Sequence, residues 1–415
     1  MKINSKKNNT QSTFNWHVLL ILSLGSVITA IYRDGFASLF PFLQKEFHLT
    51  NAQLGLHSTL FYFTNAFVSI YAGRLVDLKG SKWGLIFSGL LMSILYFSHS
   101  VIPNFLMILF MAALTGVVVS FNMPSVTKGV VERFPRKQRS TALGLQSMAF
   151  PIGGLLGAIA LPFFGNIFGW RKTMFLPGVI AALGVLFISY YYQEKEKINN
   201  YPSGNEKLSI SFWKSISQLI KNRELIKISV FGLFLGMMAN SICAHFTLFL
   251  FLGYGLPEIV AGLGFAFVQL GSIVGRAAWG ILCDKVLEGN KRKTFLFVGL
   301  SFWFTTIIFS IGLRYLNPSI SILFLLAFLV GCFGNGWPGI FSAAVAETVK
   351  EENVGIATGI AFLLVRTGLM IAPPIFGYIA DLRGSYDLSW FLLGIIVLIA
   401  SLGQFLLSEK RVGTV

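Results

Sequence analysis

Runs of about twenty mostly apolar residues, each interrupted by a few charged or turn-forming ones, recur along the whole 415-residue chain. Coiled at about 1.5 Å per residue, such a run matches the hydrocarbon thickness of a bilayer. The runs fall near 16–43, 53–74, 83–101, 103–127, 141–163 and 172–192, then near 226–252, 259–283, 294–314, 319–343, 354–379 and 388–407. Composition agrees: 54% of residues are hydrophobic and 12% charged, against about a quarter charged in soluble domains. A chain this apolar has lipid as its solvent. The expected fold class is an all-α membrane protein of twelve transmembrane helices in two six-helix bundles.

Between the runs near 172–192 and 226–252 the composition changes. Glu194-Lys195-Glu196-Lys197 and Pro202-Ser203-Gly204-Asn205 precede an amphipathic stretch, Ile210–Ile220. This reads as a 193–225 linker with a surface helix, dividing the chain into an N-terminal unit, 1–192, and a C-terminal unit, 226–415. Basic residues sort by side. Lys45, Arg171, Lys172, Arg314 and Arg383 fall on one side and Arg33, Arg276 and Arg366 inside runs, while all the others fall on the opposite side. Basic residues mark cytoplasmic loops, so both termini are expected in the cytoplasm and the protein in the inner membrane. The net charge of +16 is thereby explained by topology, not by a nucleic-acid partner. Met1–Trp16 is polar and basic with no small-residue cleavage site after the first run, which is expected to be a retained helix.

Cys243, Cys283 and Cys332 all lie in apolar runs and show neither CxxC nor Cys/His metal spacing. No disulfide framework, metal or cofactor is expected. HExxH, GxSxG and paired catalytic aspartates are missing from the runs, so an enzyme is not expected either.

The two halves resemble each other. Gly73-Arg-Leu-Val-Asp77 after the second run recurs as Gly280-Ile-Leu-Cys-Asp284 after the eighth, and Ala142-Leu-Gly144 recurs as Ala357-Thr-Gly359. Internal repeats of this kind build transporters whose site lies at the bilayer midplane. Gly73-xxx-Asp77-xx-Gly80-x-Lys82, with its copy Gly280-xxx-Asp284-Lys285, resembles the signature loop of the major facilitator superfamily. The resemblance implies a gate. An Asp there accepts hydrogen bonds from a neighbouring helix N-terminus, and the glycines permit a tight turn and close helix approach. Leu78 replaces the usual basic residue after the first Asp, and Ala112 stands where many members carry an arginine.

Superfamily membership does not fix a substrate; the charges inside the runs speak to it. Arg33, Arg276 and Arg366 each cost at least about 2.5 kcal/mol at depth, and three positive charges facing one cavity attract an anion. Each also has a structural reading: Arg33 paired with Asp34, Arg276 part of the gate motif, Arg366 satisfying carbonyls. Tyr32-Arg33 followed by Pro41-Phe42-Leu43-Gln44-Lys45-Glu46 resembles the first helix of anion:cation symporters and organophosphate antiporters. Arg276 with Arg366 is similar to the basic pair on helices eight and eleven of oxalate:formate-type antiporters, and Arg276 alone to the helix-eight arginine of monocarboxylate transporters. Asn122, Gln146, His245, Asn335 and Trp337 are further candidate substrate ligands, and Asp34 is the candidate coupling residue with the proton as coupling ion. The expected function is secondary active transport of a small organic anion, a mono- or dicarboxylate, by a monomer surrounded by lipid. The alternative is a drug or other solute exporter of the same fold.

Overall fold

The computed structural model describes residues 14–193, 217–312, 318–350 and 353–407. They are helical almost throughout. Eleven helical segments are long and apolar enough to cross a membrane. In chain order, with one more polar helix added as α2, they are α1 (Trp16–Phe47), α2 (Asn51–Lys79), α3 (Ser81–Val101), α4 (Phe105–Arg133), α5 (Thr141–Phe168) and α6 (Trp170–Tyr191), then α7 (Arg223–Tyr254), α8 (Glu258–Val286), α9 (Lys291–Ser310), α10 (Ile320–Ala346), α11 (Val354–Arg383) and α12 (Asp387–Leu406). At 29 residues α2 is long enough to span, but His57, Asn65 and a row of Ser and Thr make it more polar than the rest. The expected linker helix lies largely outside the described residues, and α7 begins at Arg223, three residues before the expected boundary at 226.

Side-chain caps start the helices. Thr50 and Gln53 form a reciprocal capping box at α2, while Asn104, Asn222 and Asn290 accept backbone N–H groups at α4, α7 and α9. Each such cap is worth about 1 kcal/mol. Gly80 turns the chain between α2 and α3 at φ 104°, a conformation open to glycine and costly for other residues.

The packing of the first six helices recurs in the last six. In the first half α1 lies on α5, α2 on α4 and α3 on α6; in the second, α7 lies on α11, α8 on α10 and α9 on α12. The two most extensive contacts between the halves are α2 with α11 and α5 with α8; α7 also touches α1 and α2, and α8 touches α1.

Those two contacts are tight at one end only. A Cβ on Gly55 of α2 would stand 2.6 Å from the backbone of Pro373 and Pro374 in α11, and one on Gly377 of α11 would stand 2.4 Å from the Asn51 carbonyl of α2. A Cβ on Gly262 of α8 would stand 2.6 Å from Pro162 of α5. Polar contacts seal the same end. The Asp381 carboxylate accepts the N–H groups of Asn51 and Ala52 at 2.9 Å each, Lys45 pairs with Glu258, and the Thr59 hydroxyl donates to the Met370 carbonyl at 2.7 Å. Toward the other end of the same four helices, Cβ atoms on Gly73, Gly144, Gly280, Gly355 and Gly359 would meet nothing within 4 Å.

Candidate functional site

The first helix breaks where its charges sit. The α-helical part of α1 ends at Arg33, a 3-10 turn follows over Phe36–Leu39, and the α-helix resumes at Phe40. Gly35 lies against Gly157 of α5, where a Cβ would come within 2.7 Å of the facing Cα. Only two glycines allow α1 to bend at that spot while touching α5. The bend sets Arg33 and Asp34 side by side: Arg33 Nε donates to Asp34 Oδ1 at 2.9 Å and its Nη2 to Oδ2 at 2.7 Å. The guanidinium carbon also lies 4.2 Å from the ring centre of Phe150 on α5, a favourable cation–π geometry. The ion-pair reading of Arg33 therefore describes this conformation.

Arg276 and Arg366 have neutral partners. Arg276 Nη1 donates to the Ser147 carbonyl at 3.2 Å, and its buried Nε has no partner among the described residues. Arg366 Nη1 donates to the Ser69 hydroxyl on α2 at 3.0 Å. Neither forms an ion pair among the described residues, whereas Arg33 has Asp34. The three arginines share surroundings. Arg276 lies within electrostatic range of Arg33, Asp34 and Cys243, while Tyr62 of α2 lies within range of Arg33, Asp34, Cys243 and Arg366. Five helices thus bring three guanidinium groups and one carboxylate around Tyr62 and Cys243.

The other sequence candidates divide. Asn335 reaches this neighbourhood, its Nδ2 standing 3.8 Å from Cys243 Sγ. Asn122 and Gln146 form a separate buried cluster on Ser26, which donates to Asn122 Oδ1 at 2.9 Å and accepts from Gln146 Nε2 at 2.6 Å. Trp337 is buried edge-on to Phe341, its indole N–H without a partner among the described residues. His245 is fully buried with both ring nitrogens engaged, Nε2 with the Pro373 carbonyl at 2.8 Å and Nδ1 with the Tyr386 hydroxyl at 3.2 Å. That arrangement ties α7 to α11.

In the gate motifs, the Asp77 and Asp284 carboxylates are exposed and bonded to none of the described residues. The Lys128 ammonium of α4 instead donates to the backbone carbonyls of Val76 and Asp77, at 2.9 and 2.7 Å, and so caps the end of α2. Lys82 and Lys285 likewise form no ion pair among the described residues.

Sequence reasoning missed Ser69, Ser147 and Phe150, which carry no charge and so leave no trace in an apolar run. It also missed a chain of rings. His99 Nδ1 lies 2.7 Å from the Leu95 carbonyl, which can only accept, so in the neutral ring Nε2 accepts from the Tyr32 hydroxyl at 3.1 Å. The Tyr32 oxygen is then left to accept from His57 Nε2 at 3.0 Å. The three come from α1, α2 and α3, and Phe36 stacks on His57.

Comparison with known proteins agrees with this architecture. A model of the Major Facilitator Superfamily matches residues 22–311 and 253–414. A hexuronate transporter of Bacillus subtilis (strain 168) is 24% identical over 410 residues, covering 93% of this chain and 92% of its own. A Staphylococcus aureus protein named "Probable nitrate transporter" is 25% identical over 408 residues, covering 95% of this chain and 97% of its own. Among solved structures, a bacterial homolog of the human lysosomal transporter Spinster, in an inward-facing and unoccupied conformation, superposes with a TM-score of 0.77. It is 17% identical and covers 94% of this chain and 96% of that one, a likeness of fold.

Proposed function

The chain belongs to the Major Facilitator Superfamily, and we propose that within it the protein is a secondary active transporter of a small organic anion, a mono- or dicarboxylate. One observation carries this reading: Arg276 and Arg366 hold their charge inside membrane segments on neutral partners alone. Ionisable groups at such depth are costly and persist where they are used. The acid beside them, Asp34, is already occupied by Arg33. The partner that neutralises the remaining charge is then one that arrives and leaves. The guanidinium fork of arginine suits a carboxylate, and relatives named for hexuronate and nitrate support an anion.

In this reading α2 is the twelfth span, its polar residues turned to the cavity, and 1–192 and 226–415 are two units that rock about the arginines. The distribution of basic residues supports an inner-membrane orientation with cytoplasmic termini. The sealed end, at Lys45, Glu258 and Asp381, is then the outer one, and the conformation is open to the cytoplasm. Asp77 and Asp284 are latches released in this state, and Asp34 is the group that carries a coupling proton.

The test is counterflow in proteoliposomes. Glucuronate, succinate and nitrate serve as trial anions, with glucose and tetraphenylphosphonium as neutral and cationic controls. Exchange confined to anions, and lost in Arg366→Gln protein that still melts cooperatively, is expected. Exchange of glucose or of the cation by that variant overturns the reading.

A further inference from the structure

Gln269 of α8 lies two helical turns before Arg276, on the same face of the helix. It is 2% exposed, and its Nε2 is buried without a partner. An amide donor left unsatisfied in a low-dielectric interior costs as much as a lost hydrogen bond, so this one calls for an acceptor present in another state. The nearest candidate is fixed by Gly154 of α5. A Cβ built on Gly154 would stand 2.5 Å from Gln269 Nε2 and 2.9 Å from Asp34 Cβ. The amide of one half and the aspartate of the other therefore converge on one glycine, whose missing side chain leaves room for both. In this conformation the amide bonds neither carboxylate oxygen, and each oxygen accepts one hydrogen bond from Arg33.

We infer that Gln269 is a positioning residue for Asp34: its amide N–H receives the carboxylate that Arg33 releases when the guanidinium turns to a bound anion. The inference rests on the proposed anion site and adds the step that site lacks. Without a receiver, Arg33 could take up an anion only by abandoning a buried carboxylate, whose desolvation would oppose binding. With Gln269 in reach, a neutral donor on α8 replaces the charged one on α1. The exchange links anion binding to contact between the halves. Asp34 is faced by Arg33 on α1, Tyr62 on α2, Cys243 on α7 and Arg276 on α8.

The experiment needs no substrate. Arg33→Gln frees the Asp34 carboxylate permanently, and its ionisation is followed by infrared difference spectroscopy, with Asp34→Asn protein as the subtracted reference. In the Arg33→Gln background, adding Gln269→Leu is expected to raise the titration midpoint of the Asp34 carboxyl by about one to two pH units, as loss of a hydrogen bond to a charged group does. Adding Gly154→Ala instead is expected to raise it in the same direction, because the new methyl displaces the amide while Gln269 itself remains. In protein that keeps Arg33, Gln269→Leu should leave the midpoint where it was. An unmoved midpoint in both double variants overturns the inference. If no trial anion binds the parent protein while the midpoints shift as expected, the anion site falls and the Asp34–Gln269 contact stands.

Discussion

Arg366 is the residue on which the substrate class turns. It lies twelve residues after Val354 at the start of the 30-residue α11, near mid-span at about 1.5 Å per residue. Its hydrogen bond to Ser69 orients one edge of the guanidinium and leaves its charge unneutralised. Lysine at this position keeps the charge but loses the fork. Arg366→Lys is therefore expected to weaken anion binding about 10- to 100-fold, the worth of one charge-assisted hydrogen bond, and Arg366→Gln to abolish it. Titration calorimetry with the anion that passes the counterflow test reads both, and unchanged affinity in the Gln variant would remove Arg366 from the site. Asp34 makes a second test at this scale. Asp34→Asn is expected to lose uptake driven by a pH gradient while retaining exchange of anion for anion. Proton-driven accumulation at the parental level would exclude Asp34 as the proton carrier. The sequence showed the charges and hid their setting. An arginine in an apolar run stands out, but Ser69 and Gln269 are ordinary neutral residues until helices far apart in the chain bring them to Arg366 and Asp34.

At the scale of the elements, the helices were readable because apolar runs and Asn or Thr caps mark them directly; the ends that are described fall within about six residues of the expected ones, the largest difference being at Arg133. The contacts between helices were not readable in the same way. Asp381 is an instance: in the sequence it is only an acid near the end of a run, and in the fold it caps the N-terminus of α2 from the C-terminal turn of α11. Its local sequence is telling in retrospect. Gly377-xxx-Asp381-Leu382-Arg383-Gly384 repeats the pattern of Gly73-xxx-Asp77-Leu78-Lys79-Gly80. The glycine gives close approach to Asn51 and the carboxylate two charge-assisted bonds, so the physics argued for the gate motifs operates here at the opposite end of the helix pair. Asp381→Asn should weaken the seal by about 1.5–3 kcal/mol. Spin labels at the exposed positions Lys172 and Ser321, near the sealed ends of α6 and α10, are expected to move apart in a larger fraction of molecules. Distance distributions identical to those of the parent protein would show that the contact holds nothing closed.

The whole molecule is asymmetric along its helices: at one end glycines of α2, α8 and α11 lie against the facing helix of the other half, and toward the other end glycines of α2, α5, α8 and α11 face open space. Glycine inside a helix costs about 1 kcal/mol relative to alanine, a cost the sealed end offsets by bringing backbones together. Gly73 and Gly280 bear the same cost with nothing against them in this conformation. Rigid helices that tilt together at one end part at the other, so a state sealed at the second end would bring these positions into contact. A large side chain there would be tolerated now and obstruct that state. Gly73→Leu and Gly280→Leu are thus expected to keep the melting temperature and to keep anion binding to solubilised protein, yet to lose counterflow, since exchange requires both conformations. Gly55→Leu and Gly262→Leu are expected to do the reverse. Their side chains would run into Pro373 and Pro162, and overpacking of this kind costs about 1–3 kcal/mol, lowering the melting temperature and opening the sealed end. The comparison between the two pairs carries the argument, because general damage by leucine would affect both alike. Normal counterflow in Gly73→Leu and Gly280→Leu would mean that the open space at these glycines is never filled, and that the halves do not close there.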